Sequence, residues 1–276
     1  WRKLVSEAGG ELGRAAILTP VPTPYIAGSP VIGDIFVGRE DIMRRLEELW
    51  SVPHQAPSIV LYGHRRMGKT SILQNLQACM GSHTTVINFN LQLFGNVCNT
   101  NELLYALACE IYDSLPLEQQ QILQEPSITK FTTYNPYQTL IHFLKKLDKI
   151  RNEQRFVIAI DEFELLEKLI EDAIVDQELI RFWRGLIQTY PWFIMIFAGL
   201  HTLNEMQQNY WSPFFSSVTA IPISFLSLKA AQRLITQPSP DFELEYTPKV
   251  VQQICNLTNG QPYLIQLIGR ALVTRY

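Results

Sequence analysis

The stretch from Ser58 to Met80 constrains this chain more than any other part of it. Ser58-Ile59-Val60-Leu61-Tyr62 is a short apolar run rich in β-branched side chains, Gly63 ends it, and a helical pattern follows from Lys69 to Met80. Between the two lies Gly63-His64-Arg65-Arg66-Met67-Gly68-Lys69-Thr70, which fits G-x-x-x-x-G-K-[ST]. Glycines let the backbone turn tightly, so that several N–H groups aim at one point beside a helix N-terminus, where the peptide dipoles leave positive potential. Strand, glycine loop and helix in that order admit few folds.

The chemistry such a loop serves is phosphate binding. Lys69 brings a mobile cation to the β- and γ-phosphates of a nucleotide, and the Thr70 hydroxyl is placed to ligate Mg²⁺. Gly63, Arg66, Met67, Gly68 and Ser71 complete the expected contact set, although His64, Arg65 and Arg66 occupy variable positions and read as solvated loop residues before catalytic groups.

A second constellation supports the first. Phe156-Val157-Ile158-Ala159-Ile160-Asp161-Glu162 is a buried strand ending in two acids, the place where phosphate-loop enzymes keep a metal-holding Asp. Asp161 is expected to hold Mg²⁺ through water and Glu162 to polarise the attacking water. The competing reading is that both acids merely open the next helix. Glu164 and Glu167 fall among Leu165, Leu166 and Leu169 and read as a solvated helix face.

Further strands are expected at Thr85–Phe89, Trp192–Phe197 and Val218–Ile223, and helices at 41–50, 101–114, 137–150, 228–235, 248–257 and 262–274. Continuous apolar strands separated by helices describe a parallel sheet covered on both faces. The fold expected is therefore three-layer α/β of the P-loop NTPase type: a mostly parallel five-stranded sheet, then a small all-helical lid. Residues 1–35, with Pro20, Pro22, Pro24 and Pro30, are expected as a linker, 36–224 as the core domain and 225–276 as the lid.

A net charge of -3 and a pI near 6.0 provide no electrostatic drive toward nucleic acid. The four cysteines contain no C-x-x-C pair, which argues for reduced thiols and a cytoplasmic protein. No apolar run approaches the ~20 residues that span a bilayer, so no membrane partner is expected. A start at Trp1-Arg2-Lys3 without Met reads as a piece of a longer polypeptide.

On these residues the chain resembles the STAND class of signal-transducing ATPases, relatives of the AAA+ ATPases, and in particular its prokaryotic, archaeal-ATPase-like branch. Tyr62 to Ser71 resembles that family's G-x-R-R-x-G-K-T-S form, and Phe36-Val37-Gly38-Arg39-Glu40 its opening motif, which implies that Val37, Gly38 and Arg39 lie against the adenine. The motif continues Asp41-Ile42 where a second Glu is usual. Asn259-Gly260-Gln261-Pro262-Tyr263 resembles the Gly-x-Pro element of the lid, which implies that Pro262 reports nucleotide state. A glycine ending one helix and a proline opening the next is also ordinary punctuation. His201 or Thr202 stands where relatives carry a γ-phosphate sensor, and Arg184 is a candidate arginine finger, against plain readings as a helix cap and a surface residue. The cluster Tyr210, Trp211, Phe214 and Phe215 reads as a core plug before a docking loop.

The resemblance implies a slow ATPase that binds ATP, ADP and Mg²⁺ and switches conformation and homo-oligomerisation for flanking sensor and effector domains. The alternatives are a DNA-handling AAA+ protein of the origin-recognition or transposition-regulator type, and a nucleotide-stabilised scaffold without turnover.

Overall fold

A computed structural model describes residues 22–51, 56–91, 99–200, 214 and 216–274. Five strands form one sheet: β1 (Ile59–Tyr62), β2 (Thr84–Phe89), β3 (Arg155–Asp161), β4 (Phe193–Gly199) and β5 (Thr219–Pro222), in the order β2-β3-β4-β1-β5. Every pairing is parallel. The apolar continuity of the strands has its cause here. All seven residues of β4 are buried, as are five of the seven in β3, so neither strand offers a face to water.

Helix α1 (Glu40–Trp50) precedes the sheet, and the crossovers between strands are helices α2 (Lys69–Cys79), α3 (Thr100–Asp113), α4 (Leu117–Leu123), α5 (Ile128–Thr133), α6 (Pro136–Ile150), α7 (Glu164–Glu171) and α8 (Glu178–Thr189). Local chemistry sets their ends. Asn99 caps α3 by accepting from the Glu102 N–H, and Asn135 caps α6 through the Gln138 N–H with Pro136 in the first turn. Helices α4 and α5 are not foreseen in the sequence. They are seven and six residues long and carry exposed Leu117, Ile122 and Ile128, so no apolar period marks them.

The chain divides into two compact units. The larger holds residues 45–63 and 76–222, and its core joins strand residues such as Val60, Ile158, Met195 and Phe197 to Leu104, Leu107, Leu140, Leu144 and Trp183 of the helices. Phe197 is packed by three aromatic rings, Phe163, Trp183 and Phe214, at centroid distances of 6.4, 5.7 and 5.3 Å. Phe214 is thus a core residue, while Tyr210, Trp211 and Phe215 lie outside the described residues.

The smaller unit gathers three separate pieces of chain, of which residues 22–44, 64–75 and 223–274 are described. Its own core is formed mainly by three helices, α9 (Leu228–Thr236), α10 (Pro248–Thr258) and α11 (Pro262–Val273), with Leu234, Ile254, Ile265 and Ile268 at the centre. Ser227 and Thr247 cap α9 and α10. Residues 22–36, rich in proline and closed by a 3-10 turn at Gly33–Ile35, run along this unit. Tyr25 is buried, its hydroxyl donates to the Ile235 carbonyl at 2.5 Å, and its ring fills the space that a side chain on Gly269 would take.

Among the described residues Cys79, Cys109 and Cys255 are free thiols. No helix among them is long and apolar enough to cross a membrane.

Candidate nucleotide site

The carboxyl ends of the strands set the geometry. In register, Tyr62 of β1 stands beside Gly199 of β4, and Asp161 of β3 beside Ala198 on the other flank of the same strand. The Gly63 N–H donates to the Gly199 carbonyl at 3.3 Å and the Phe163 N–H to the Ala198 carbonyl at 3.2 Å. Both segments therefore hang from the tip of β4. With one strand between them, β1 and β3 end two inter-strand spacings apart, roughly 9–10 Å.

At the acid pair the backbone takes an unusual course. Glu162 has a φ of 49°, a left-handed conformation that non-glycine residues seldom adopt, and its N–H donates to Asp161 Oδ1 at 3.0 Å. Such outliers gather at functional positions because surrounding structure must hold them. Asp161 is half-buried and Glu162 exposed, which suits one acid for holding an ion and the other for meeting water.

Glu164 differs from its expectation as part of a solvated face. It is half-buried, and its carboxylate accepts the N–H of Leu200, joining the segment after the acids to the end of β4. The Phe163 ring lies where a side chain at Gly199 would be, so that glycine is required by close approach. Nothing in the spacing of Glu164 reveals this, because its partner is a backbone group 36 residues later.

The phosphate loop belongs to the smaller unit. Arg66 and Gly68 have φ of 62° and 86°, the turns that bend the loop into α2. Lys69 is buried, and its ammonium donates to the His64 carbonyl at 2.9 Å, curling back over its own loop. Met67 is buried beneath, and Thr70 is half-buried in the first turn of α2. Ser71 Oγ accepts the Val31 N–H at 3.0 Å, and one turn later Asn75 accepts from the Gly33 N–H at 2.9 Å and donates to the Val31 carbonyl at 2.8 Å. The helix that follows the loop thus reads the residue 31–33 segment through two polar side chains. Asn75 escapes sequence reasoning, since an Asn on an amphipathic helix carries no signal until its partners are known.

The opening motif and the Gly-x-Pro element meet this loop. Val37 packs on the core formed by α9–α11, and Gly38, at φ 95°, has Leu226 and Ala230 so close that a side chain would meet them at 3.1–3.4 Å. Arg39 Nη2 donates to the Met67 carbonyl at 2.7 Å and to the Ser224 carbonyl at 2.6 Å. Gly260, at φ 79°, exchanges backbone contact with Leu226, whose N–H donates to the Gly260 carbonyl at 2.8 Å. A side chain at Gly260 would strike the Leu226 carbonyl at 2.5 Å, so its presence has a packing reason. Pro262 opens α11, where its missing N–H costs nothing, and the guanidinium of Arg66 stacks 4.0 Å from the ring centre of the next residue, Tyr263.

Among the other candidates, Arg184 is half-buried on α8, with Nε unpaired among the described residues. His201 and Thr202 lie outside the described residues.

Residues 35–209, more than half of the chain, match the AAA ATPase domain family. The chain belongs to that family. None of the curated proteins matches it significantly. Among solved structures it is similar to the Walker-type ATPase PABY2304 of Pyrococcus abyssi, with a TM-score of 0.60 at 16% identity over 89% of this chain and 70% of that one. It is also similar to the Orc1 protein of Aeropyrum pernix, with a TM-score of 0.54 at 17% identity over 88% of this chain and 62% of that one. Cdc6p of Pyrobaculum aerophilum gives 0.53 at 14% identity over 86% and 61%. The chain therefore spans about three fifths of the length of the latter two. These likenesses extend the fold, a parallel α/β sheet of the P-loop type, and go no further at such identities.

An AAA ATPase domain implies a nucleotide, usually with Mg²⁺, and the residues present fit that group. The loop offers backbone N–H groups, one ammonium and one hydroxyl, and the buried Arg39 guanidinium lies beside it, all suited to an anion. Lys69 and Thr70 would hold the phosphates and metal. Bound there, Mg-ATP would supply the transferable phosphoryl group. Around such a group the loop would orient the phosphates.

Proposed function

We propose that this AAA ATPase domain is a regulatory switch of the STAND kind: an ATP-binding, slowly hydrolysing module whose nucleotide state sets the lid and, through it, self-association and the activity of attached sensor and effector domains. The observation that carries the reading is the packing of the phosphate loop with the lid helices in one compact unit. Arg66 lies over Tyr263, and Arg39 bridges Met67 to Ser224, so whatever occupies the loop acts on the lid within one or two residues. Moving a switch from 1:99 to 99:1 requires about 5.5 kcal/mol of differential binding, which γ-phosphate and Mg²⁺ contacts can supply.

The roles assigned are phosphate binding for Gly63, Arg66, Met67, Gly68, Lys69, Thr70 and Ser71, metal binding for Thr70 and Asp161, and activation of water for Glu162. Lys69→Ala is expected to abolish nucleotide binding. Glu162→Gln should retain ATP while phosphate release falls by about 10²–10⁴. Equal turnover in Glu162→Gln and wild type would turn the reading into the scaffold without hydrolysis. ATP-independent mass by light scattering, with the flanking domains attached, would remove the switch.

A second reading, DNA handling, takes support from the Aeropyrum pernix Orc1 protein, which was solved in complex with DNA. It ranks lower because this chain carries a net charge of -3. DNA affinity that falls steeply with salt would reverse the ranking.

A further inference from the structure

We propose that Arg39 is a positioning residue of the phosphate loop, a buried cation that holds the Met67 carbonyl and lends its uncompensated charge to the binding of polyphosphate. The proposal rests on the reading of the loop as an ATP site.

Three observations carry it. Arg39 is only 5% exposed, yet a guanidinium stays protonated in proteins, so a full positive charge sits inside the smaller unit. Its Nη2 donates to two carbonyls from distant parts of the chain, Met67 in the loop and Ser224 after β5. Among the described residues no carboxylate lies within ion-pair distance of Arg39, and its Nε is buried with no hydrogen-bond partner. Asp41 is the acid whose field reaches it, and burial outweighs that field, lowering the affinity of the group for its proton.

A buried charge without a counter-ion is costly, and proteins keep one where something else neutralises it. Carbonyl dipoles stabilise the guanidinium without cancelling its charge. The position of Arg39 says what does: a Cβ placed on Gly68 would lie 4.0 Å from Arg39 Nε, so the charge stands directly at the glycine that precedes Lys69. An anion cradled by this loop is the counter-charge. If hydrogen bonding to Met67 and Ser224 were the whole role, a neutral donor would serve. The structural and the electrostatic roles separate through ligand charge, because a Coulombic contribution grows with the number of phosphates and a loosened loop weakens every nucleotide alike.

The test measures Mg²⁺-saturated dissociation constants for ATP, ADP and AMP on the full chain, with wild type, R39Q and R39K, each checked for folding by thermal unfolding. R39Q is expected to weaken ATP on the order of tenfold or more, ADP by less, and AMP by under about threefold. R39K, which keeps the charge and loses the fork, should preserve the ATP-to-AMP affinity ratio within about threefold of wild type. An equal loss for the three nucleotides in R39Q, or no loss, overturns the proposal. If R39Q does not fold, R39K decides: a collapsed ATP-to-AMP ratio overturns it and a preserved ratio supports it. Wild type that binds none of the three overturns the ATP reading itself, a different failure from wild type that binds ATP with R39Q unchanged.

Discussion

The two compact units of this domain are held together by different means. In the larger one, strands made wholly of apolar residues bury both faces, and a network of rings around Phe197 fills the interior. In the smaller one, the three helices α9–α11 have a modest core, and the pieces from elsewhere in the chain are fastened to it and to one another largely by side chains bonding to backbone. Tyr25 reaches Ile235, Gln266 accepts the Ile26 N–H, Ser71 and Asn75 hold residues 31–33, and Arg39 ties Met67 to Ser224. The lesson is that apolar packing fixes a scaffold, whereas directional bonds fix where a loop and its neighbours stand.

Substitutions can break that contrast. The largest effect is expected from Phe197→Ala, which leaves a cavity among three rings and should cost about 3–5 kcal/mol in urea unfolding. Asn75→Ala removes bonds to Gly33, Val31 and Ser71 and should cost about 1–3 kcal/mol, by the same measurement. It should also weaken ATP, whereas Phe197→Ala leaves the affinity of the folded fraction unchanged. If the two variants affect ATP alike, the contrast between scaffold and fastening is wrong.

Tyr25→Phe sharpens the point, since it deletes one oxygen and should cost about 0.5–1.5 kcal/mol at neutral pH. Burial, with Tyr246 beside it, raises the Tyr25 pKa far above its ordinary value, so the phenol stays neutral in the folded chain. Its contribution is full below the unfolded-state pKa of about 10 and is lost as pH rises above it, because only the unfolded chain then gains by ionising. Wild type should therefore lose stability more steeply than Tyr25→Phe above about pH 10 in an alkaline unfolding series. The smallest effect belongs to Arg233→Ala. Its bond to Glu40, 2.9 Å long, joins two half-exposed side chains, and a change beyond about 1 kcal/mol would mean this contact is more than a surface pair.

Much of the scaffold was legible in the residues. The five strands and the main helices follow from apolar runs and periods, and the loop from Gly63 to Thr70 from a motif whose context repeats in the structure. Helices α4 and α5 were not, being too short for a period to show. Glu164 was read as solvent-facing because its helix is amphipathic, and its bond to the Leu200 N–H depends on how β3 and β4 lie side by side.

The smaller unit shows where local reading stops. Pro262 and Gly260 are recognisable as punctuation, yet the need for glycine at 260 arises from the Leu226 carbonyl, 34 positions earlier in the chain. Arg39 was expected against adenine by resemblance, and the structure directs its guanidinium to two backbone carbonyls. By itself the sequence determined the main elements and the phosphate loop, because these depend on neighbours within a few residues along the chain, and the unbroken apolar character of the strands pointed to a parallel sheet. Only the tertiary structure decided which distant carbonyl each buried polar group would meet, because a directional bond has no periodicity and exists only once two remote segments have been brought within about 3 Å.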